Sequence, residues 1–178
     1  MTFLPSASLD TLRRRAALLA FTRRFFESHG YLEVETPLLS PDVVVDTHLE
    51  PFATRFRPDP ASEAGTELFL QTSPEFSLKR LLAAGAGPVF EVFRAFRNGE
   101  AGRRHNPEFT LLEWYRPGDS HVEQMAFTEE YVRAFLREAA GLPSGPELRS
   151  PSPQGEGRSL MAVGIDDAPF DRFTYDEA

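Results

Sequence analysis

Two stretches rich in β-forming residues, PVFEVFRAFR at 88–97 and EFTLLEWYR at 108–116, stand ten residues apart, from Asn98 to Pro107. That spacing commits the middle of the chain to an antiparallel hairpin with a long connection. Side chains alternate faces along a strand. On the second strand Phe109, Leu111, Glu113 and Tyr115 therefore share one face, and Thr110, Leu112 and Trp114 share the other. A glutamate in mid-strand beside aromatic residues is unusual for a buried face, which predicts a wet, ligand-lined surface with aromatic walls. Arg97 ends the first strand, and Arg94 lies on the opposite face from it. The connection adds Arg103, Arg104 and His105. Guanidinium groups grip phosphate through paired hydrogen bonds. A hairpin with an aromatic floor and an arginine rim suits a nucleotide, ring on base and arginines on phosphates. Residue types alone leave a second reading open: an exposed hairpin with a basic tip.

The flanking elements are also marked. Ser8 is placed to cap a helix, with Asp10 in its first turn. Leu12, Ala16 and Leu19, flanked by Leu18, Ala20, Phe21, Phe25 and Phe26, give that helix a wide apolar face, and Gly30 ends it. The arginine runs at 13–15 and 23–24 read as its solvated side. YLEVETP reads as a strand closed by Pro37. Residues 38–66 are irregular, broken by Pro41, Pro51, Pro58, Pro60 and Gly65, with a strand near 50–56. ELFLQTS at 67–73 is a further strand. SPEFSLKRLLAAG is a helix with Ser73 as cap, Pro74 in the first helical position and Gly85 as stop. Glu75 then sits in the first turn. Either the helix dipole favours it there, or it faces a ligand ammonium from a rigid helix start. EQMAFTEEYVRAFLREAAG at 123–141 is an amphipathic helix.

The expected organisation is a core over 1–141, a Pro/Gly/Ser-rich linker over 142–160 that is expected to be disordered, and the start of a continuation over 161–178. In that last stretch Thr174 and Glu177 have the spacing of a capping box, so a helix start is written just before the chain stops, and a longer reading frame is expected. No internal repeat is visible.

Composition narrows the classes. The 178 residues are 41% hydrophobic, enough for one core. There is no cysteine, which excludes disulfides and thiolate metal sites. No run approaches the length of a membrane span, and MTFLPSASLD lacks the features of a secretory signal, so a soluble, cytoplasmic protein is expected. The net charge of -8 is uneven: residues 1–117 hold 14 Lys and Arg against 15 Asp and Glu, and residues 118–178 hold 5 against 12. A broad basic surface for nucleic acid is absent.

These strings carry a family resemblance. FRNGEAGRRHNPEFTLLEWYRPG, Phe96 to Gly118, resembles motif 2 of the class II aminoacyl-tRNA synthetases in its lysyl form. GYLEVETPLLSP, Gly30 to Pro41, resembles motif 1, with Pro37 as its closing proline. QTSPEFSLKRLLAAGAGPVFEVFRAFRN resembles the stretch between them, and the likeness runs unbroken over roughly residues 5–140. Within the family the chain is most similar to the lysine ligases that modify elongation factor P, paralogues of lysyl-tRNA synthetase. The motif 1 helix stands at its start, and no anticodon-binding barrel is expected before it. It has TSPE where lysyl-tRNA synthetases have APE, and LEWYRPG follows HNPEFT.

The resemblance implies an α+β fold, an incomplete class II catalytic domain with an antiparallel sheet flanked by helices. It implies ATP and Mg²⁺ as cofactors, lysine or β-lysine as substrate, elongation factor P as partner and a homodimer through motif 1. The alternatives are a lysyl-tRNA synthetase catalytic fragment and an inactive remnant. By position, Arg97 matches the catalytic arginine on the ATP α-phosphate, and Phe109 the ring stacked on adenine. Asn98, Gly99, Glu100 and Asn106 match the loop that meets the nucleotide, and Arg104 and His105 match groups near the outer phosphates. Ser73, Pro74, Glu75 and Tyr115 match substrate contacts, with Glu75 the carboxylate that meets the amino group. Two departures stand out. Gly99 occupies the usual place of the motif 2 glutamate, and Glu100 follows it. Motif 3, which bears a second ATP-binding arginine, is missing together with the acidic residues that hold Mg²⁺. No metal ligand is therefore expected here, and the 178 residues alone are expected to adenylate weakly or not at all, with marginal solubility.

Overall fold

The computed structural model describes residues 6–141 and Phe170. The linker read at 142–160, the capping box at Thr174–Glu177 and, Phe170 apart, the continuation over 161–178 lie outside these residues. The elements run α1 (Leu9–Ser28), β1 (Leu32–Glu33), β2 (Leu39–Ser40), β3 (Phe52–Phe56), β4 (Thr66–Leu70), α2 (Glu75–Ala83), β5 (Val89–Phe96), β6 (Glu108–Tyr115) and α3 (His121–Gly141). They fall into two compact units. One is Phe26–Gly118; the other combines residues up to Phe25 with those from Asp119 onward.

The unit Phe26–Gly118 holds two three-stranded sheets, ordered β1-β5-β6 and β2-β4-β3. β5 and β6 pair antiparallel from Val89↔Tyr115 to Phe96↔Glu108, the hairpin that alternation predicts. One face is apolar. Phe26 is fully buried, stacks on Phe90 at 4.7 Å, and meets Trp114 at 5.3 Å and the edge of Tyr31 at 5.2 Å.

The strand expected over YLEVETP is cut short. Only Leu32 and Glu33 form β1, and they pair parallel to β5, so this sheet is mixed rather than purely antiparallel. A parallel pair needs a long crossover, which β2, β3, β4 and α2 supply. Val34 still donates its N–H to the Phe90 carbonyl at 3.0 Å. The Thr36 N–H goes instead to the Glu91 side chain, and a side-chain acceptor replaces the next rung of the ladder.

β3 lies within the expected 50–56 stretch, and β2, two residues long, leaves no readable pattern. Gly65 is required in the β3–β4 turn, because a Cβ there would lie 2.7 Å from the Phe56 carbonyl oxygen. α2 starts one residue later than expected, with Pro74 at the cap position. Ser73 still serves the helix start, accepting the Glu75 N–H at 3.1 Å.

In the other unit, α1 packs on α3 through aromatic rings. Phe25 meets Tyr131 at 5.2 Å and Phe127 at 5.6 Å, and the Thr22 and Tyr131 hydroxyls pair at 2.9 Å. Ser8 caps α1 as expected, accepting the Thr11 N–H at 3.1 Å. Arg13 and Arg24 lie on the solvated side, as read, in exposed pairs with Asp10 and Glu138. Arg14 instead donates to the Ala139 carbonyl at 3.3 Å. Among the described residues no helix is long and apolar enough to cross a membrane.

Candidate functional site

The second face of the β5–β6 hairpin carries the polar groups. Register places Ala95 opposite Phe109, Glu91 opposite Glu113 and Val89 opposite Tyr115. Arg97 lies just past β5 and keeps the same parity, because its N–H continues the pairing to the Pro107 carbonyl at 2.9 Å. Its guanidinium stands over the Phe109 ring, 5.0 Å from the centroid. The Arg97 Nε donates to the Thr72 carbonyl at 3.4 Å, and Nη1 lies 3.7 Å from Glu100 Oε1. Arg97 and Phe109 are thus brought together, each half-buried.

The displaced glutamate has a structural account. Gly99 adopts φ +81, a left-handed conformation that glycine takes without strain. The chain reverses there, and it is Glu100, not residue 99, whose carboxylate turns back to Arg97. Asn98 anchors the turn by donating its N–H to the Glu50 carbonyl at 2.7 Å. Beyond it Arg103, Arg104, His105 and Asn106 are exposed, and a backbone bond from Gly102 N–H to the His105 carbonyl at 3.0 Å closes the tip. These four side chains make no hydrogen bond or ion pair among the described residues, so nothing ties them to Arg97 or Phe109.

The other end of the face centres on Glu113. Ser73 Oγ donates to its Oε2 at 2.8 Å, and the Tyr115 hydroxyl donates to its Oε1 at 2.9 Å. Burial pushes the Tyr115 phenol far above its ordinary range, and the bond to Glu113 adds to the effect. Tyr115 is therefore a fixed donor at any pH near neutrality. Ser73 links two elements, because the oxygen that donates to Glu113 also accepts the first N–H of α2. Pro74, fully buried, holds that corner rigid. Glu75 is partly exposed and pairs with Lys79 one turn along α2. Its charge also reaches Tyr115.

Glu91 and Thr36 were not singled out from the sequence. Glu91 is only 4% exposed. Its Oε1 accepts the Thr36 N–H and its Oε2 the Thr36 hydroxyl, both at 2.9 Å. The signal was present in the parity: Glu91 falls in VFEVFRAF two residues before Phe93, on the face that also takes Ala95 and Arg97. Burial holds the Glu91 carboxyl above its ordinary range, despite the two bonds from Thr36.

This arrangement offers an aromatic platform beside a guanidinium at one end and a doubly hydrogen-bonded carboxylate at the other. Such a surface can take a purine with its phosphates and an ammonium. Among the described residues no group of three or more His, Asp or Glu is placed to hold a metal ion; Mg²⁺ is commonly held by one or two carboxylates together with substrate phosphates.

The family profile of tRNA synthetases class II (D, K and N) matches residues 2–178. A protein of Salmonella paratyphi B is 60% identical over 135 residues, 76% of this chain and 41% of its own length. One from Erwinia tasmaniensis is 59% identical over 113 residues, 64% of this chain and 34% of its own. One from Pseudoalteromonas translucida is 54% identical over 132 residues, 74% of this chain and 40% of its own. All three bear the name elongation factor P--(R)-beta-lysine ligase. The chain spans 34–41% of the length of these curated relatives. With the profile matched over residues 2–178, the chain belongs to the class II tRNA synthetases of the D, K and N group.

Proposed function

We propose that this chain carries the nucleotide- and amino-acid-binding hairpin of a cytoplasmic ligase that activates lysine or β-lysine with ATP and passes it to a lysine of elongation factor P. The observation that carries this reading is the shared face of β5–β6 that holds Phe109 and Arg97 at one end and Glu113 at the other. The relatives' shared name supports the acceptor.

Adenine lies on the Phe109 ring in place of the Arg97 guanidinium, which moves to the α-phosphate. The exposed Arg104 and His105, with Asn106, close over the outer phosphates. Glu113 is oriented by Ser73 and Tyr115 and takes one substrate ammonium; Glu75 takes the other after releasing Lys79. Two carboxylates at one pocket suit an amino acid with two amines. A carboxylate oxygen of that amino acid then attacks the α-phosphorus. The bond from the α-phosphorus to the bridging oxygen breaks, and pyrophosphate leaves. Arg97 neutralises the charge that grows on the phosphate, a contact of a kind whose loss costs about 3–4 kcal/mol of barrier. The protein's share is positioning and charge stabilisation. The amine of the acceptor lysine later attacks the acyl carbon and AMP departs. Mg²⁺ would supply counter-charge to the phosphates when bound. Exposed Leu32, Leu38 and Leu39 in the motif 1 segment are apolar surface that a homodimer there would cover.

Calorimetric titration tests the reading. L-lysine should bind at least tenfold tighter than L-norleucine, which lacks the second amine, and Glu113→Gln should abolish that preference. Equal affinity for the two amino acids in the unaltered chain would sink the proposal.

A further inference from the structure

Glu113 is not the only carboxylate on the polar face. Glu91 stands directly opposite it in the β5–β6 ladder, and directly opposed side chains on one face lie within about 4.5–5.5 Å at Cβ. Opposed like charges are normally selected against in a sheet. Among the described residues neither carboxylate is in an ion pair. The charged groups that bear on Glu91 are Glu35, beside Thr36, and Glu113, both acidic. A carboxylate that is 4% exposed, held among like charges, needs a reason to be there.

Thr36 explains how Glu91 is tolerated. The two bonds from one residue, N–H to Oε1 and hydroxyl to Oε2, both 2.9 Å, satisfy each oxygen once and fix the plane of the carboxylate. They leave its charge uncompensated. Glu113 is likewise fixed by two neutral hydroxyls, from Ser73 and Tyr115. The pair is thus immobilised by uncharged donors, and neither carboxylate is neutralised by an ion pair among the described residues.

We propose that Glu91 is a positioning residue for substrate: pinned by Thr36, its charge adds to that of Glu113 across the strand pair and strengthens the selection of an amino acid bearing a second ammonium. Glu91 does not touch the ligand; it acts through Glu113. The inference rests on the amine-binding role given to Glu113 above, and extends it to a buried residue one strand away. In a partly desolvated site a neighbouring charge acts over several ångströms with little screening by salt.

Glu91→Gln isolates the charge. The amide oxygen accepts the Thr36 N–H and the amide nitrogen donates to the Thr36 hydroxyl, so shape and tether survive. Titrated with L-lysine and L-norleucine, the variant should lose about three- to tenfold in lysine affinity and less than twofold in norleucine affinity. A purely structural role would weaken both alike, and that result, or unchanged lysine binding, overturns the proposal. If Glu91→Gln does not fold, the pair Thr36→Val and Thr36→Ser carries the test. The valine frees one carboxylate oxygen and should reduce the lysine preference two- to threefold, and the serine should retain it. Equal preference in both overturns the proposal. A chain in which Glu113→Gln abolishes the lysine preference and Glu91→Gln leaves it intact would refute this inference while sparing the proposed function. An unaltered chain with no lysine preference refutes both.

Discussion

The sharpest test of the nucleotide platform is Phe109→Leu. Leucine keeps an apolar side chain at the position and removes the π face. In the unliganded chain that face is occupied by the Arg97 guanidinium at 5.0 Å, a contact worth about 0.5–1 kcal/mol at a site open to water. Stacking of a base on an aromatic ring is worth about 1–3 kcal/mol. Adenine must displace the guanidinium, so the net gain from the ring is about 1 kcal/mol, or roughly fivefold in affinity. Calorimetric titration should therefore show Phe109→Leu weakening ATP and adenosine by the same factor, about fivefold, because the ring meets the base and not the phosphates. Arg97→Lys should split them. ATP weakens by about tenfold or more through loss of the paired guanidinium geometry, while adenosine changes by less than twofold. Both variants should melt within a few degrees of the parent, since each side chain is half-buried. If Phe109→Leu weakens ATP and leaves adenosine unchanged, the ring is not the base platform and the reasoning fails.

Two stability predictions follow from the other face and from the buried carboxylate. Phe26→Ala empties a fully buried site lined by Phe90, Trp114 and Tyr31, and should cost about 3–5 kcal/mol in urea unfolding; a loss below 1 kcal/mol would show that the cluster is not the core of this unit. For Glu91, whose carboxyl burial holds above its ordinary range, the fold favours the protonated form. That stabilisation is full below the unfolded value and is lost as pH rises through the raised folded one. Glu91→Gln has no charge to bury, so its stability relative to the parent should improve between pH 4 and pH 7; a gap that moves the other way would mean that Thr36 stabilises the ionised form more than burial opposes it.

Most of the site was legible because it is written in parity. Phe109, Glu113 and Tyr115 share a face by alternation alone, and Arg97 joins them because the ladder continues through Pro107. What alternation cannot show is which side chains speak to each other across sequence-distant elements. Ser73 looked like a helix cap and is also a donor to Glu113, forty positions away. Thr36 looked like the end of a strand, and the Glu91 side chain captures its amide before the strand can continue. The long-range competition of a side-chain acceptor with the backbone ladder leaves no periodicity to read. The two-residue β2 is too short for any pattern, and the requirement for glycine at 65 depends on how close the Phe56 carbonyl comes, which only the folded turn defines.

The same parity that assembles the site also protects the fold. A one-residue slip of β6 against β5 would exchange its faces. Trp114 would leave Phe26 and Phe90 for the polar face, and Glu113 would enter the aromatic cluster away from Ser73, with only the neutral Tyr115 hydroxyl travelling beside it. Burying an unpaired carboxylate costs several kcal/mol, on top of the lost packing of Trp114. The contacts that pin the hairpin ends, Arg97 N–H to Pro107 and Asn98 N–H to Glu50, then need supply only a small part of the register's specificity. Glu113 therefore acts twice: the charge proposed to recognise an ammonium on one face is also what forbids the strand from turning that face inward.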